Sequence, residues 1–569
     1  MKKGKLFLPL SLALLSLPLI ACTNSGEPQD TPDPGTTEPD DPTPVVDDTI
    51  NWDEEKLGNP MVDPTNDNYR VMYEIFPISF SDSNGDGNGD IRGIINRLDY
   101  LNDGDMNSGK SLGVQGLWIT PIHPSPTYHK YDVINYRKID STFGTMDDYE
   151  ELLTKCHQRN VSVIMDLVIN HTSSQNQWFL DFLQAQKDED TENKYYNWYT
   201  WYPRTTTIHG EEVSGIPTGH TVSPIDGTNN YYECNFSSEM PELNYDNEEV
   251  YNEMVDVAKF WIDKGVDGFR FDAAKYIYYN DTSSNVTFWK KYIKEIKEYA
   301  MTTYSKDIYT VAEVWEADTA CLPYIEALNC FSFTAAQQAG EIVTAVKSTN
   351  TYTYGYANYV VNYLKNAKEK NPEAMYLPFL SNHDIDRSAG FWSSKVPGQN
   401  KMGANLYILG PGSPFIYYGE EIGVKGSRGG ASTDANRRLK MRWGNYGGFE
   451  DKVKNPIGST YKEDLQVNGT VESQINSKSS LLTHYRHLIQ LRLKYPEIAR
   501  GDYEVFDDKG FKVTYNGSSL AILHNISTKE ATIDITNYEF KTLADYIGSY
   551  ARIEGNSLII GPQTSIILK

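Results

Sequence analysis

Three carboxylates stand where short apolar stretches end: Asp272 after 266–271, Glu313 near the close of 308–314, and Asp384 after 374–380. Arg270 precedes Asp272 by two residues, and in an extended chain residues two apart point to the same side. A guanidinium that close favours the ionised carboxylate, which in a cleft acts as a nucleophile or stabilises a developing cation. Read alone, this stretch is equally a structural Arg-Asp pair at a strand end. Three acids on one face are harder to explain by stability, because each raises the pKa of the others. Polar residues gather at further stretch ends: Asp166 to His171, Ser381 to Asp384, and His129 to Asp132.

The elements that must position these residues follow a rhythm. From Tyr69 onward, short apolar runs at 71–77, 114–120, 161–168, 266–271, 308–314, 327–331, 374–380 and 413–417 alternate with helix-like patterns such as 250–263 and 288–300. Eight such strands predict an α/β fold, a (β/α)8 TIM barrel whose chemistry sits at the carboxyl ends of the strands. A doubly wound sheet shares the local pattern, but no Gly-x-Gly-x-x-Gly turn follows the first strand. About eighty residues separate the third strand from the helix starting near Asn247, too many for a loop, which predicts a small inserted domain. Six aromatics in eight positions, 195–202, read mainly as the core of that insert. After 481–493 the pattern changes to apolar-polar alternation with Gly and Asn turns, predicting a C-terminal antiparallel β-sandwich.

The expected domains are a signal peptide at 1–21, a tether at 22–50, the barrel at 51–171 and 247–498, the insert at 172–246 and the sandwich at 499–569. Lys2, Lys3 and Lys5 precede an apolar run to Ile20, and Leu19-Ile20-Ala21-Cys22 resembles the cleavage box of bacterial lipoproteins. Cys22 is the expected lipid-bearing residue, anchoring an exported protein at the bacterial cell envelope. Residues 23–50 are rich in proline and acid and carry no base, as expected of a solvated tether. A net charge of -25 argues against a nucleic-acid partner, and the 41 tyrosines and ten tryptophans supply faces that pack on sugars or at interfaces. Protein partners leave no signature. The remaining cysteines form no Cys-x-x-Cys pair, so no zinc site or disulfide framework is expected.

Behind the first strand lies Asp82-Ser-Asn84-Gly-Asp86-Gly-Asn88-Gly-Asp90. Oxygen side chains at alternate positions with intervening glycines suit a structural Ca2+. An EF-hand is excluded, since its twelfth position is Gly93 and a strand precedes it.

Together these segments resemble the conserved regions of the α-amylase family of glycoside hydrolases, over roughly residues 69–569. Gly113 to Pro121 and Met240-Pro-Glu-Leu-Asn244 belong to the match. The resemblance implies Asp272 as nucleophile, Glu313 as general acid and base, and Asp384 as the third acid. It implies that His171, His383, Arg270 and Arg387 hold the sugar, that Tyr131 stacks beneath it, and that His129 and Asp166 lie nearby. A retaining cleavage through an oxocarbenium-like state would then place the first two carboxyls about 5 to 5.5 Å apart, with the pKa of Glu313 raised.

The linkage is less determined. Lys275 matches the Ala-Ala-Lys of enzymes that cut α-1,4 bonds within starch, where the lysine contacts the sugar beyond the scissile bond. The Asp82 to Asp90 loop and Met-Pro-Glu-Leu-Asn are similar to the oligo-1,6-glucosidase and neopullulanase side of the family. The mixture looks most like the intermediate group that includes bacterial lipoprotein amylases, and implies an endo-acting α-amylase on starch and related α-glucans. An α-1,6-acting or transglycosylating enzyme, or an inactive sugar-binding surface protein, is the alternative. Tyr276 stands where many α-amylases carry a histidine that supports a calcium between barrel and insert, while Asn170 matches another ligand of that site, so the resemblance leaves a second calcium open.

Overall fold

The structure, a computed structural model, describes residues 48–50, 68–105, 108–208, 211–448 and 450–569. The expected signal peptide, Cys22 and the tether up to residue 47 lie outside these. The tether's last residues do not behave as solvated chain: Thr49 bridges antiparallel to Ser477, and the Ile50 N–H donates to Asn476 O at 2.7 Å. Asp48 accepts from the hydroxyls of Ser477 and Ser479, which ties this point to the folded body.

Seven strands form one parallel sheet: β1 (Met72–Ile75), β2 (Gly116–Ile119), β3 (Ser162–Leu167), β4 (Gly268–Phe271), β5 (Tyr309–Ala312), β6 (Asn329–Cys330) and β7 (Phe415–Tyr417). Their order is β6-β5-β4-β3-β2-β1-β7. The segment 374–380 closes the ring between β6 and β7 without becoming a regular strand. Leu377 O accepts from Ser332 N at 3.1 Å, while Tyr376 O and Pro378 O accept from Ser413 N and Phe415 N at 3.0 and 2.9 Å. Pro378 has no N–H to give, so the ladder reduces to a single bridge, Phe379 to Phe415. The result is a (β/α)8 barrel.

Alternation along each strand explains where the polar residues emerge. Met72, Trp118, Ile164, Val311, Leu377, Phe379 and Phe415 fill the interior as one buried cluster. Two residues on, along the same inward face, the sequence turns polar: Met72 is followed by Glu74, Ile164 by Asp166, and Val311 by Glu313. On β4 the inward positions read Gly268, Arg270, then Asp272. Gly268 faces Tyr309 across the ladder, and a Cβ there would lie 2.0 Å from Tyr309 O. Glycine is what lets β4 and β5 approach at this register.

The outer helices bury one stripe each. Glu248–Lys264 is capped by Asn247, whose side chain accepts from Glu249 N, and ends at Gly265 with φ +102°. Its Val250, Met254, Ala258 and Trp261 are all buried, a helical spacing whose burial contributes roughly 1.5–3 kcal/mol per large apolar side chain.

The insert carries the helix Gln177–Lys187, a three-stranded antiparallel sheet (Trp201–Pro203, Val222–Pro224, Asn230–Glu233) and a small hairpin. Trp198 and Tyr199 of the aromatic run are fully buried, packed against Trp178 and Phe179 respectively, while Tyr195, Tyr196, Trp201 and Tyr202 are half-buried. From Asp502 the chain forms five-stranded and three-stranded antiparallel sheets whose facing residues, among them Leu523, Ile533, Leu558 and Ile566, make a separate core. Among the described residues no helix is long and apolar enough to cross a membrane.

Candidate active site

The registers of three strands assemble the centre. Asp166 pairs with Arg270 across β3 and β4, and Ala312 pairs with Phe271 across β4 and β5, which sets Glu313 beside Asp272. Arg270, fully buried, then spans the acids of β3, β4 and β5: Nη1 donates to Asp272 Oδ1 at 2.7 Å and Asp166 Oδ1 at 2.8 Å, and Nη2 to Glu313 Oε2 at 2.8 Å. Just past Asp272 the chain turns through Ala273 in the left-handed region, φ +48°. That costs alanine about 1–2 kcal/mol, and it aims the Ala273 N–H at Glu313 Oε2, 3.2 Å away.

Asp384 joins from the other side of the barrel mouth. His383 Nε2 lies 2.9 Å from Asp384 Oδ2 and Nδ1 lies 2.6 Å from Glu74 Oε1, so the imidazole is clamped between two carboxylates. Tyr131 Oη reaches Asp166 Oδ2 at 2.9 Å and His383 Nε2 at 2.7 Å, and its ring stacks on His383 at 5.3 Å. Arg438 completes the set, with Nη2 on Asp384 Oδ1 at 2.7 Å.

Asp272, Glu313 and Asp384 all line one cavity of about 650 Å³. Its wall also holds His129, Tyr131, His171 and Lys275, together with Tyr128, Phe236, Tyr276, Trp315, Asp434 and Arg438. Four of the expected sugar contacts therefore line the cavity and four do not. Arg270 and His383 sit directly behind the acids, each fully buried. Asp166, also fully buried, spends its oxygens on Arg270, Tyr131 and the Trp118 indole; it positions the guanidinium and does not face the cavity. Arg387 corrects the expectation outright. Its three donor nitrogens go to the carbonyl oxygens of Arg437, Tyr418 and Leu439 at 2.8, 2.7 and 3.2 Å, so it clamps loops together. The arginine that reaches the acids from this region is Arg438, the second of a doublet in which the sequence marks neither member. Glu74 was likewise missed, since a single acid ending an apolar strand carries no signal of its partner.

The electrostatics separate the acids. Burial pushes Glu313 up to about 7, with Asp272 and Asp384 adding to the rise and Arg270 opposing it. Burial also raises Asp272, helped by Asp166 and Asp384. Arg270 acts on Asp272 in the expected direction, opposing the rise, while its one charge is shared among Asp272, Asp166 and Glu313. Burial would raise Asp384 too, yet His383, Arg438 and Arg270 hold it well below the usual carboxylate range. In return Asp384 and Glu74 overcome burial and push His383 up to about 10, an imidazolium at neutral pH. Burial lowers His171 and His129 to about 4, leaving both neutral.

Among the described residues no three His, Cys, Asp or Glu side chains converge to hold a metal ion. In the Asp82 to Asp90 loop the side-chain oxygens cap backbone amides: Asp82 accepts from Asn84, Gly85 and Gly87, Asn84 from Asp86, Asp86 from Asn88, and Asp90 from Ser83 and Gly93. The donors are all hard oxygens and each keeps lone pairs beyond these caps, so the set fits a calcium ion chemically.

Residues 74–501 match the model of the α-amylase catalytic domain. Alpha-amylase 3 of Dictyoglomus thermophilum is 33% identical over 516 residues, covering 88% of this chain and 93% of that one. Oligo-1,6-glucosidase of Bacillus cereus is 28% identical, covering 82% and 91%. Among solved structures, Eubacterium rectale Amy13B superposes with a TM-score of 0.80 at 31% identity, covering 90% of this chain and 97% of that one. The chain belongs to the α-amylase catalytic-domain family and is a glycoside hydrolase.

Proposed function

We propose that the protein is a retaining, endo-acting α-amylase that hydrolyses α-1,4-glucosidic bonds in starch, glycogen and maltooligosaccharides. The observation that carries this reading is the shared cavity, lined by Asp272, Glu313 and Asp384, in which one guanidinium bridges Asp272 and Glu313 and burial pushes Glu313 up to about 7. A carboxyl with that pKa is protonated in part at neutral pH and can donate to the leaving oxygen. Asp272, in direct contact with Arg270 and starting from a lower ordinary value, is the group left to attack the anomeric carbon. Attack forms a C–O bond to the Asp272 carboxylate as the glycosidic C–O bond breaks and the Glu313 proton moves to the departing sugar. Glu313, now a base, takes a proton from water, which displaces Asp272 and restores both groups. Asp384 stays anionic beside His383 and Arg438 and stabilises the cationic transition state.

The α-1,4 preference is supported by Lys275 on the cavity wall and by a relative named α-amylase at 33% identity. Relatives named oligo-1,6-glucosidase favour a second reading, cleavage at α-1,6 bonds. Product chromatography on starch, pullulan and isomaltose decides between them, with Asp272→Asn as the inactive control. Maltooligosaccharides from starch with isomaltose untouched is the expected result; glucose from isomaltose alone would remove the α-1,4 reading. Large transfer products at high substrate concentration would mark a transglycosylase.

We propose further that the Asp82 to Asp90 loop holds a structural Ca2+. Residues 451–454 already brace it: Asp451 accepts from Asp82 N at 3.1 Å and Lys454 N donates to Gly87 O at 2.9 Å. Calorimetric titration of the chelated protein should show one Ca2+ site, lost in Asp86→Ala. We also propose an export signal ending before Cys22 and a lipid on that cysteine, holding the enzyme at the cell envelope. Mass spectrometry of the mature amino terminus tests this, and an unmodified Met1 would dismiss it.

A further inference from the structure

The loop that carries His383 and Asp384 leaves the barrel from its least regular strand. On one side β7 joins β1 by a three-residue parallel register, Met72 to Phe415, Tyr73 to Ile416 and Glu74 to Tyr417. On its other side it meets the segment 374–380 in the single bridge from Phe379 to Phe415. Past that bridge the Leu380 carbonyl turns to the opposite neighbour and accepts from Gln337 N at 3.1 Å. The ladder to β7 thus ends before Ser381, three residues short of Asp384.

A side chain takes the ladder's place. After β7 the chain turns through Gly419, at φ +81°, into two adjacent acids, Glu420 and Glu421. Their carboxylates reach opposite ways. Glu421 Oε1 accepts from Tyr73 of β1 at 2.7 Å and from Tyr100 at 2.6 Å, on the side where the backbone register is complete. Glu420 Oε2 accepts from Ser381 Oγ at 3.0 Å, and its Oε1 from Tyr407 Oη at 2.7 Å and Tyr485 Oη at 3.0 Å. Those tyrosines stand on the helices Gln399–Ile408 and Leu481–Lys494, so one carboxylate ties the root of the Asp384 loop to two helices. All four residues are buried. An acid in such a place is unfavourable for the fold, because its partners are neutral hydroxyls: burial pushes Glu420 up to about 7 against the pull of Tyr407, Ser381 and Tyr485. Apolar groups of the same shape would serve stability about as well. A buried polar group that stability does not need points to a functional constraint.

We propose that Glu420 is a positioning residue for Asp384: through Ser381 it supplies the lateral hold on the loop 381–384 that the interrupted ladder does not. The proposal rests on the reading of Asp384 as the acid that stabilises the cationic transition state. Glu420 acts at the root of the loop and lies apart from the cavity wall. Glu74 holds the same loop from the β1 side, where its Oε1 accepts from His383 N at 3.3 Å as well as from the imidazole at 2.6 Å. Two buried acids on opposite sides thus fix the path of a loop whose own strand lacks a regular partner.

Ser381→Ala tests this, since it deletes one hydroxyl and leaves Glu420 with both tyrosines. The charge that Asp384 answers develops only in the transition state, so a displaced Asp384 should lower kcat and leave KM in place. A misplacement of 1 Å costs on the order of 10²-fold, and the freer loop should lose about tenfold in kcat. The loss should be as large on α-maltosyl fluoride as on maltoheptaose, because Asp384 serves the sugar ring and not the leaving group. Ser381→Thr keeps the hydroxyl and should restore most of the rate. Tyr100→Phe, which takes the corresponding hydroxyl from Glu421, should lower the urea midpoint with kcat unaltered, because the β1 register stays intact. Wild-type kcat in Ser381→Ala on both substrates, with only a lower urea midpoint, would make the network structural and overturn the proposal. An equal loss of kcat in Tyr100→Phe would do the same, by showing a general loosening of the barrel. Asp384→Asn with wild-type kcat would instead overturn the reading of Asp384 beneath it.

Discussion

Replacing Glu313 by glutamine removes one ionisable group and keeps the shape and most of the hydrogen bonding of the side chain. The structure gives the size of the effect. Glu313 has an ordinary value of 4.5 and is pushed up to about 7, and its side chain is only 12% exposed, so solvent screening is slight. Between those two pH values the folded protein keeps a proton that the unfolded chain has released. Stability from this group is therefore complete below about 4.5 and declines as pH rises, levelling off above about 7. The interval, at 1.36 kcal/mol per pH unit, is worth about 3 kcal/mol. A glutamine side chain cannot ionise, so Glu313→Gln should lack this component of the decline.

Urea unfolding of wild type and Glu313→Gln, measured from pH 4.5 to 8, isolates it as a difference. Glu420 and Glu242, which burial raises to about 7 and about 8, titrate in both proteins and largely cancel. The variant should gain on the wild type by up to about 3 kcal/mol across that range. The same proton should govern catalysis: kcat/KM of the wild type should fall on the alkaline side with an apparent pKa near 7, and the variant should lose roughly 10²- to 10⁴-fold in rate at neutral pH. With α-maltosyl fluoride, whose leaving group needs no proton, the first fluoride release by the variant should be far less impaired. A stability difference that stays flat from pH 4.5 to 8 would refute the claim that burial has raised this carboxyl. An alkaline limb that lies well above 7 would refute its assignment as the acid.

Arg387→Met should leave three carbonyl oxygens without their buried donor and cost about 3 kcal/mol or more in urea unfolding, while KM of the folded enzyme stays unchanged; a raised KM at unaltered stability would restore the sugar-holding role. Asp166→Asn takes one negative charge from beside Asp272, so the acid limb of kcat/KM should move to lower pH, read from a pH-rate profile. Truncating the buried core ring Trp198→Ala should cost about 3–5 kcal/mol, seen as lower denaturant resistance. Chelation of calcium should lower the thermal midpoint by scanning calorimetry, and added Ca2+ should restore it; an unchanged midpoint would leave the Asp82 to Asp90 loop with its backbone caps alone.

The barrel was legible because each strand is a short apolar run with its own boundaries, and the strand that escaped regularity, 374–380, is the one in which proline withholds a hydrogen bond. The acids were legible for a related reason: an inward position that turns from Val311 to Glu313, or from Gly268 to Arg270 to Asp272, breaks the apolar alternation at the strand's end, and this break is visible in one dimension. What could not be read is which partner each charge meets. Arg387 and Arg438 are both arginines after the seventh segment, yet one directs each of its three nitrogens to a carbonyl oxygen and the other reaches Asp384 and its surroundings, a difference set by loop paths between positions 387 and 438 and not by residue type. Arg270 makes the same point in energy. Two residues from Asp272, it promised a fixed carboxylate; in the fold Asp166 and Glu313 compete for the same guanidinium. Burial leaves Asp272 above its ordinary value and pushes Glu313 up to about 7, with Arg270 opposing the rise in both. The pairing that made the nucleophile recognisable thus works against the proton that burial keeps on its neighbour, and neither acid could be assigned its state from its own strand.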